Sequence, residues 1–159
     1  MSGRPFDTGA ERPRQGPPTR ADYVAWRTVT TRWRDDDAYG HLNNATYYEL
    51  FDTAVNAHLY EATGVDVRAL PQIGVVAETS CRYFREIGFP APIETGLVVD
   101  KVGTSSIIYR IGLFQGDSQE AAAEGRFVHV YVDNTDPARP STPMPDVIRA
   151  AVEPLLSRT

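Results

Sequence analysis

The sequence predicts an α+β domain in which one long helix packs against a curved antiparallel sheet of about five strands. Three observations lead to this prediction. One apolar stripe at helical spacing runs from Ala45 to about Thr63, a strand-like stretch precedes it, and four strand-like runs follow Pro71. A helix with so wide an apolar stripe must be covered on most sides, so the sheet has to curl around it.

The composition fits one globular domain and sets limits on its partners. The chain has 159 residues, of which 42% are hydrophobic and 23% charged, and its formal net charge is -5. This charge argues against nucleic acid as the main partner, because phosphate binding needs concentrated Lys and Arg. The single cysteine, Cys81, excludes an intrachain disulfide and fits a reducing compartment.

The sequence offers no membrane or secretion signal. No apolar run approaches the roughly 20 residues that a membrane span needs, and the N-terminus has no hydrophobic signal segment. We therefore expect a cytoplasmic protein without a membrane span. Residues 1–20 are rich in Pro, Gly and Arg, so we predict a flexible N-terminal tail followed by one domain over residues 21–159.

A strand and a helix come first in the predicted domain. Residues from Tyr23 to Arg34 alternate in polarity and are rich in β-branched and aromatic types, which is typical of a strand. The helix follows, with Asn43 or Asn44 able to cap its start and Gly64 at the place of a C-terminal glycine. Its apolar stripe consists of Tyr47, Leu50, Phe51, Ala54, Val55, His58 and Leu59.

Four strand-like runs and a short terminal helix complete the domain. The runs extend from Ile73 to Arg85, Ile93 to Val102, Ser105 to Phe114 and Ala121 to Val132. The short turns between them predict an antiparallel meander. The terminal helix is predicted to start at the Pro-Met-Pro-Asp sequence that ends at Asp146.

Both faces of the third run, Ser105 to Phe114, carry apolar side chains. Ile107, Tyr109 and Ile111 alternate with Ile108 and Phe114. An exposed apolar sheet face or edge is a liability for a monomer, so we expect self-association to a homodimer or homotetramer.

The most unusual stretch joins the first strand to the helix. Acid, imidazole, amide and phenol groups crowd into the sixteen residues from Trp33 to Tyr48, including three consecutive aspartates, Asp35 to Asp37. A solvated acidic turn is the simplest interpretation, since Asp is common in turns. Strand alternation would direct Asp36 away from its two neighbours, so we expect only one of the three to be catalytic.

The order of elements and the pattern Asp-x-x-Gly-His-x-Asn-Asn-x-x-Tyr resemble the hotdog fold, and within it acyl-CoA thioesterases of the 4-hydroxybenzoyl-CoA thioesterase type. The stretch from Ser80 to Arg85 also resembles that family's central strand. The matching residues of the pattern are Asp37, Gly40, His41, Asn43, Asn44 and Tyr47. The turn after Arg85 departs from the family, because it reads Gly-Phe-Pro-Ala-Pro where relatives often have Gly-Asp.

The resemblance implies a catalytic role for Asp37 and an acyl-CoA as the small-molecule substrate, with no cofactor because coenzyme A is part of the substrate. It also implies that a backbone N–H near Asn44 polarises the thioester carbonyl. The chemistry agrees, since a carboxylate can act as base or nucleophile and a helix N-terminus favours a developing oxyanion. A free Asp has a pKa of about 3.9, so we expect Asp37 to be ionised at neutral pH.

The other candidate residues have structural alternatives. His41 could orient substrate or move a proton, or could tie the turn to the backbone. Gly40 and Asn43 are candidate substrate contacts, although capping is the favoured role for one of the two asparagines. Tyr47 lies on the helix stripe, where core packing is commoner than binding. Arg82 and Arg85 could bind the phosphates of coenzyme A, or could be solvated surface charges.

Other chemistries fit the sequence less well. The turn lacks the ligands of a calcium loop, no Cys or His cluster suits zinc, and no phosphate-binding glycine loop is present. A hydratase or dehydratase acting on enoyl thioesters with Asp37 and His41 is a second hypothesis. A non-catalytic module that binds acyl thioesters is a third.

Overall fold

One long helix lies across a five-stranded antiparallel sheet in the computed structural model, which describes residues 16–158. The predicted α+β fold class is confirmed. The strands and helices are β1 (Ala25–Val29), α1 (Asn44–Thr63), β2 (Gln72–Tyr83), β3 (Ile93–Val102), β4 (Ser106–Gln115), β5 (Ala123–Asp133) and α2 (Asp146–Val152). Among the described residues, no helix is both long and apolar enough to cross a membrane.

The strand order is β1-β3-β4-β5-β2, which corrects the predicted meander. β3, β4 and β5 do follow one another, but β2 pairs along its length with β5 and not with β3. The segment 84–92 between β2 and β3 is too long for a tight hairpin and contains Pro90 and Pro92. It crosses from one edge of the sheet to β3, so sequence order does not give the pairing.

The first strand is shorter than predicted. It pairs with β3 only from Ala25 to Val29, opposite Leu97 to Ile93. Beyond this pairing the chain turns into a short 3-10 helix, Trp33–Asp35. The predicted strand was too long because β-branched and aromatic residues, which favour strands, continue past Val29.

The core lies between α1 and the inner face of the sheet. Phe51 and Val55 of α1 are fully buried, and so are Ile107, Tyr109 and Ile111 of β4. Gly125 of β5 leaves room for the Phe51 ring.

Adding a methyl group at Gly125 should lower the free energy of unfolding by about 1–3 kcal/mol. A Cβ at this position would lie 2.6 Å from Cδ2 and Cε2 of the Phe51 ring, and that ring is fully buried. The core must therefore repack to accept it. Urea unfolding of Gly125→Ala measures the loss; an unchanged stability would contradict this packing.

The N-terminal segment covers part of the outer face of the sheet. Tyr23 packs with Val98, Phe114 and Ala121 in a small second apolar cluster. The guanidinium of Arg20 lies 4.8 Å from the centroid of the Phe114 ring. Part of the apolar outer face that suggested self-association is therefore covered within the chain.

Most of the predicted tail, residues 1–20, lies outside the described residues. Its described end packs on the sheet. Pro18 is buried, its carbonyl accepts a hydrogen bond of 2.8 Å from the Ala121 N–H, and Arg20 forms an ion pair of 2.9 Å with Glu94. Packed structure therefore begins before residue 21.

Candidate active site

The acidic turn is a small hairpin that leads directly into α1. The Asn43 N–H donates to the Asp35 carbonyl at 2.8 Å, and the Asp37 N–H donates to the His41 carbonyl at 2.7 Å. Between these two pairs, Asp36 forms a bridge with Leu42. The pairing fixes Asp37 opposite His41, a few residues before the first turn of the helix.

The carboxylates of the three aspartates accept hydrogen bonds from three different sets of donors. Asp35 is buried and accepts hydrogen bonds from the Arg32 N–H at 2.7 Å and from the Arg32 guanidinium at 2.9 Å. The Asp36 carboxylate accepts from the Phe89 N–H at 3.0 Å and so ties the turn to the segment before β3. Only Asp37 is left for chemistry at the turn.

The hydrogen bonds between Arg32 and the Asp35 carboxylate make a pH-dependent contribution to stability. Burial raises the pKa of the Asp35 carboxyl, but the hydrogen bonds from Arg32 outweigh burial and hold this pKa below its usual value. Since the folded-state pKa is depressed, the stabilisation is present above the unfolded-state pKa of about 3.9. It is lost as the pH falls through the folded-state pKa.

Asp35→Asn should therefore cost about 1–3 kcal/mol of unfolding free energy at neutral pH. The difference from wild type should shrink as the pH falls below about 4. Denaturant unfolding of both chains across this range measures it. A difference that stays constant with pH would show that the carboxylate charge is not what stabilises the turn.

Asp37 is half-buried, and its Oδ1 accepts two backbone hydrogen bonds. The donors are the Tyr39 N–H at 2.8 Å and the His41 N–H at 3.2 Å. Oδ2 has no hydrogen-bond partner among residues 16–158. Gly40 adopts a φ of +77° at the tip of the turn, a conformation that glycine accepts readily. In this structure Gly40 therefore shapes the backbone of the turn.

The start of α1 offers an unoccupied donor. The Asn43 side chain caps the helix by accepting from the Ala45 N–H at 3.0 Å, and the Asn43 carbonyl accepts from the Thr46 N–H at 2.8 Å. The Asn44 N–H has no partner among the described residues. A free N–H at the positive end of a helix is suited to an oxyanion.

The side chains of Asn44 and His41 contact residues outside the motif. The Asn44 Oδ1 accepts a hydrogen bond from the Tyr83 hydroxyl at the end of β2. His41 Nε2 lies 3.0 Å from a carboxylate oxygen of Glu86; the His41 side chain is about half exposed and that of Glu86 is largely exposed. Tyr83 and Glu86 were missed by sequence reasoning, because only the fold brings the end of β2 to this turn.

Tyr47 is a core residue beside the candidate site. It is buried, and its ring centroid lies 5.0 Å from that of Tyr83 in an edge-to-face arrangement. Burial raises the pKa of Tyr47 to about 12, so its hydroxyl stays protonated at neutral pH. It supports Tyr83, which holds Asn44.

The two arginines proposed for phosphate binding contact other groups. Arg82 pairs with Glu124 at 3.1 Å on the outer face of the sheet. Arg85 donates to the Gln115 carbonyl at 3.1 Å. Neither has a described contact with the Asp37 turn, so the structure brings together Asp37, Gly40, His41, Asn43, Asn44 and Tyr47 but not Arg82 or Arg85.

Two cavities in the described part of the chain, residues 16–158, lie away from the turn. One of about 170 Å³ lies between α1, β2 and β5, and one of about 80 Å³ lies between α1, β1 and β3. Neither is lined by a residue of the turn from Asp35 to Asn44. Asp37 itself is half-buried, and the residues around it, Ala38 to Gly40 and Asn43 to Ala45, are exposed.

Comparison with known proteins relates this geometry to a family. Residues 31–152 match the Thioesterase-like superfamily. The PA5185 protein of Pseudomonas aeruginosa strain PAO1 is 43% identical, with a TM-score of 0.84 over 90% of this chain and 99% of its own. The PA2801 protein of Pseudomonas aeruginosa is 31% identical, with a TM-score of 0.72 over 81% of this chain and 98% of its own.

A more distant structure has the same fold. Slr0204, a 1,4-dihydroxy-2-naphthoyl-CoA thioesterase from Synechocystis, is 13% identical, with a TM-score of 0.72 over 80% of this chain and 93% of its own. No curated protein sequence matches the chain. The hotdog fold expected from the sequence is confirmed, and the chain belongs to the Thioesterase-like superfamily.

Proposed function

We propose that the protein is an acyl-CoA thioesterase of the 4-hydroxybenzoyl-CoA thioesterase type, with Asp37 as the catalytic carboxylate. The observation that carries the proposal is the position of Asp37 in the hairpin that leads into α1, with one carboxylate oxygen unpartnered among the described residues. The unoccupied Asn44 N–H at the helix start supports it, and membership of the superfamily supports thioester hydrolysis in general.

The proposed reaction has two routes. In the first, Asp37 takes a proton from water while the water oxygen bonds to the thioester carbon. In the second, an Asp37 oxygen attacks that carbon, and water then hydrolyses the resulting anhydride. In both routes the C–S bond breaks, coenzyme A leaves as a thiolate, and the Asn44 N–H stabilises the carbonyl oxygen.

The acyl-CoA substrate class rests on chemistry and on a relative. Thiolate is a good leaving group, so the site needs no strong general acid and the proposed reaction needs no cofactor. Slr0204 bears the name of an aryl-CoA thioesterase, which favours aromatic acyl groups as the first substrates to test.

We also retain the expectation of a cytoplasmic location.

A second copy of the chain is part of this proposal. β2 has β5 as its one neighbour in the described sheet, and the middle of this strand is exposed from Val76 to Ser80. Such an edge is a ready partner for another chain. A homodimer or homotetramer would cover it and enclose the open surface near Asp37, with the acyl group between α1 and the neighbouring subunit.

Sedimentation velocity tests the assembly. The proposal expects a mass two or four times the 17.6 kDa of one chain. A monomer at micromolar concentration would contradict the enclosed site.

A hydratase remains the second candidate because Asp37 and His41 share one turn. His41 Nε2, however, is directed to Glu86, which weakens the acid–base pair that this chemistry needs. Crotonyl-CoA separates the two functions. A thioesterase releases free thiol, whereas a hydratase removes the enoyl absorbance without thiol release, and a non-catalytic module does neither while the ligand raises the melting temperature.

A further inference from the structure

The segment between β2 and β3 packs directly against the Asp37 turn. The Leu42 N–H donates to the Ile87 carbonyl at 2.8 Å, and the Asp36 carboxylate accepts from the Phe89 N–H at 3.0 Å. Asp36 and Leu42 are paired across the hairpin, and Asp37 directly follows Asp36. The segment therefore contacts both strands of the hairpin beside the proposed catalytic carboxylate.

Gly88 makes the closest approach to the turn. A Cβ added at this position would lie 2.9 Å from Oδ1 of Asp36 and 3.2 Å from the carbonyl oxygen of Gly40. Both distances are shorter than an ordinary van der Waals contact, so no free space separates the segment from the turn. A displacement at Gly88 would therefore displace the turn or open a gap beside it.

Side chains rather than backbone pairing hold residues 88–91 in place. Among residues 16–158, the backbone groups of this stretch form hydrogen bonds only to the side chains of Asp36, Gln115 and Thr31. The Thr31 hydroxyl donates to the Ala91 carbonyl at 3.0 Å, and Pro90 has no N–H to donate. The position of the stretch therefore depends on these few side chains.

Gln115 makes most of these contacts. Its Nε2 donates to the Gly88 carbonyl at 2.7 Å and to the Ala91 carbonyl at 2.9 Å, and its Oε1 accepts from the Gly88 N–H at 3.3 Å. The side chain is half-buried at the last position of β4. Both N–H donors of its amide are therefore used to join residues 88–91 to the sheet.

We propose that Gln115 is a positioning residue for the Asp37 carboxylate. Its amide holds residues 88–91 against the hairpin, and the hairpin sets the distance between Asp37 and the Asn44 N–H. Gln115 forms no described hydrogen bond to Asp37 or Asn44, so it acts through the segment and takes no part in the chemistry. This inference rests on the proposed thioesterase function, because it concerns the same site.

Gln115→Met keeps an unbranched side chain of similar length but removes all three hydrogen bonds. It should lower kcat and kcat/KM for thioester hydrolysis by the same factor, about 10- to 100-fold, because a small misplacement of a catalytic group is costly in the transition state. Gln115→Glu keeps an acceptor for the Gly88 N–H but turns a carboxylate oxygen towards the Gly88 and Ala91 carbonyls. It should lose at least as much activity.

Amide hydrogen exchange measured by NMR separates a loosened turn from a general loss of stability. In Gln115→Met, exchange of the Asp37 and Leu42 N–H groups should accelerate about tenfold more than exchange around Val75 and Val130, which pair at the far end of β2 and β5. An equal acceleration at both places would indicate only lower overall stability and would overturn the positioning role.

Gln72→Met is the matched control. Gln72 is a half-buried glutamine at the first position of β2, and its side chain has no hydrogen bond among the described residues. Its kcat and the exchange of the turn amides should stay close to wild type.

The two readouts also separate this inference from the proposed function. If the unmodified chain hydrolyses no thioester, the proposed function fails, and the exchange comparison still decides whether Gln115 holds the turn. If the unmodified chain is active, a wild-type kcat in Gln115→Met would overturn the inference, and so would a loss of kcat without faster exchange at Asp37 and Leu42.

Discussion

Asp37→Asn should lower kcat for thioester hydrolysis by about 10²- to 10⁴-fold while leaving the fold intact. Asparagine has the size of aspartate, and its side-chain oxygen can still accept from the Tyr39 and His41 N–H groups that shape the turn. What it loses is the negative charge and the second carboxylate oxygen, which the proposed reaction needs as base or nucleophile. Asp37→Ala removes the hydrogen bonds as well and should be equally inactive.

Thiol release at saturating substrate measures this loss, with urea unfolding as the test of the fold. Asp36→Asn is the matched control, because the same change is made one residue away at a side chain that bonds to the Phe89 N–H. Its kcat should stay within a few-fold of wild type. Wild-type turnover by either Asp37 variant would remove Asp37 from the mechanism.

Glu124→Ala should produce the largest loss of stability, about 3–5 kcal/mol, because it removes a buried carboxylate and leaves the Tyr23 hydroxyl and one N–H group of the Arg110 guanidinium without their acceptor. The Glu124 carboxylate accepts a hydrogen bond from the Tyr23 hydroxyl and pairs with Arg82 at 3.1 Å and with Arg110 at 3.4 Å. The side chains of Glu124 and Arg110 are 5% and 8% exposed. Asp100 also pairs with Arg110, at 2.7 Å, but it cannot replace the contacts to Tyr23 and Arg82.

Glu78→Ala is the matched control for this prediction. Glu78 forms an ion pair of 2.9 Å with Arg126 on the same sheet, but its side chain is 66% exposed. An exposed ion pair contributes about 0–1 kcal/mol, so this variant should unfold nearly as wild type does. Equal losses for Glu78→Ala and Glu124→Ala would show that burial of the Glu124–Arg110 ion pair does not matter.

Local signals predicted the elements well. α1 starts at Asn44, is capped by the Asn43 side chain and ends at Thr63, followed by Gly64 with a φ of +69°, as the capping residues indicated. β3 has the predicted bounds, Ile93–Val102. These features depend on neighbours a few residues away along the chain, which a sequence displays directly.

Long-range pairing could not be read in the same way. The β2–β5 pairing joins Tyr83 to Ala123, which lies forty residues later in the sequence, and no local pattern distinguishes this pairing from a β2–β3 hairpin. The ion pair between Arg82 and Glu124 depends on the same pairing, because the two residues lie opposite each other on β2 and β5. The sequence therefore could not show that Arg82 pairs with Glu124.

The residues of the candidate site also divide into those that are close in sequence and those that only the sheet brings together. Asp37, His41, Asn43 and Asn44 fall together because they are close in sequence and the hairpin closes between them. Tyr83 reaches Asn44 only through the sheet.

Release of free thiol from a panel of alkyl- and aryl-CoA thioesters by the unmodified chain tests the central proposal most directly. We predict rapid hydrolysis of at least one member, with kcat/KM of about 10⁴ M⁻¹s⁻¹ or more. Stabilisation of the protein by acyl-CoA ligands with no thiol released from any of them would contradict the account and leave a binding protein in its place.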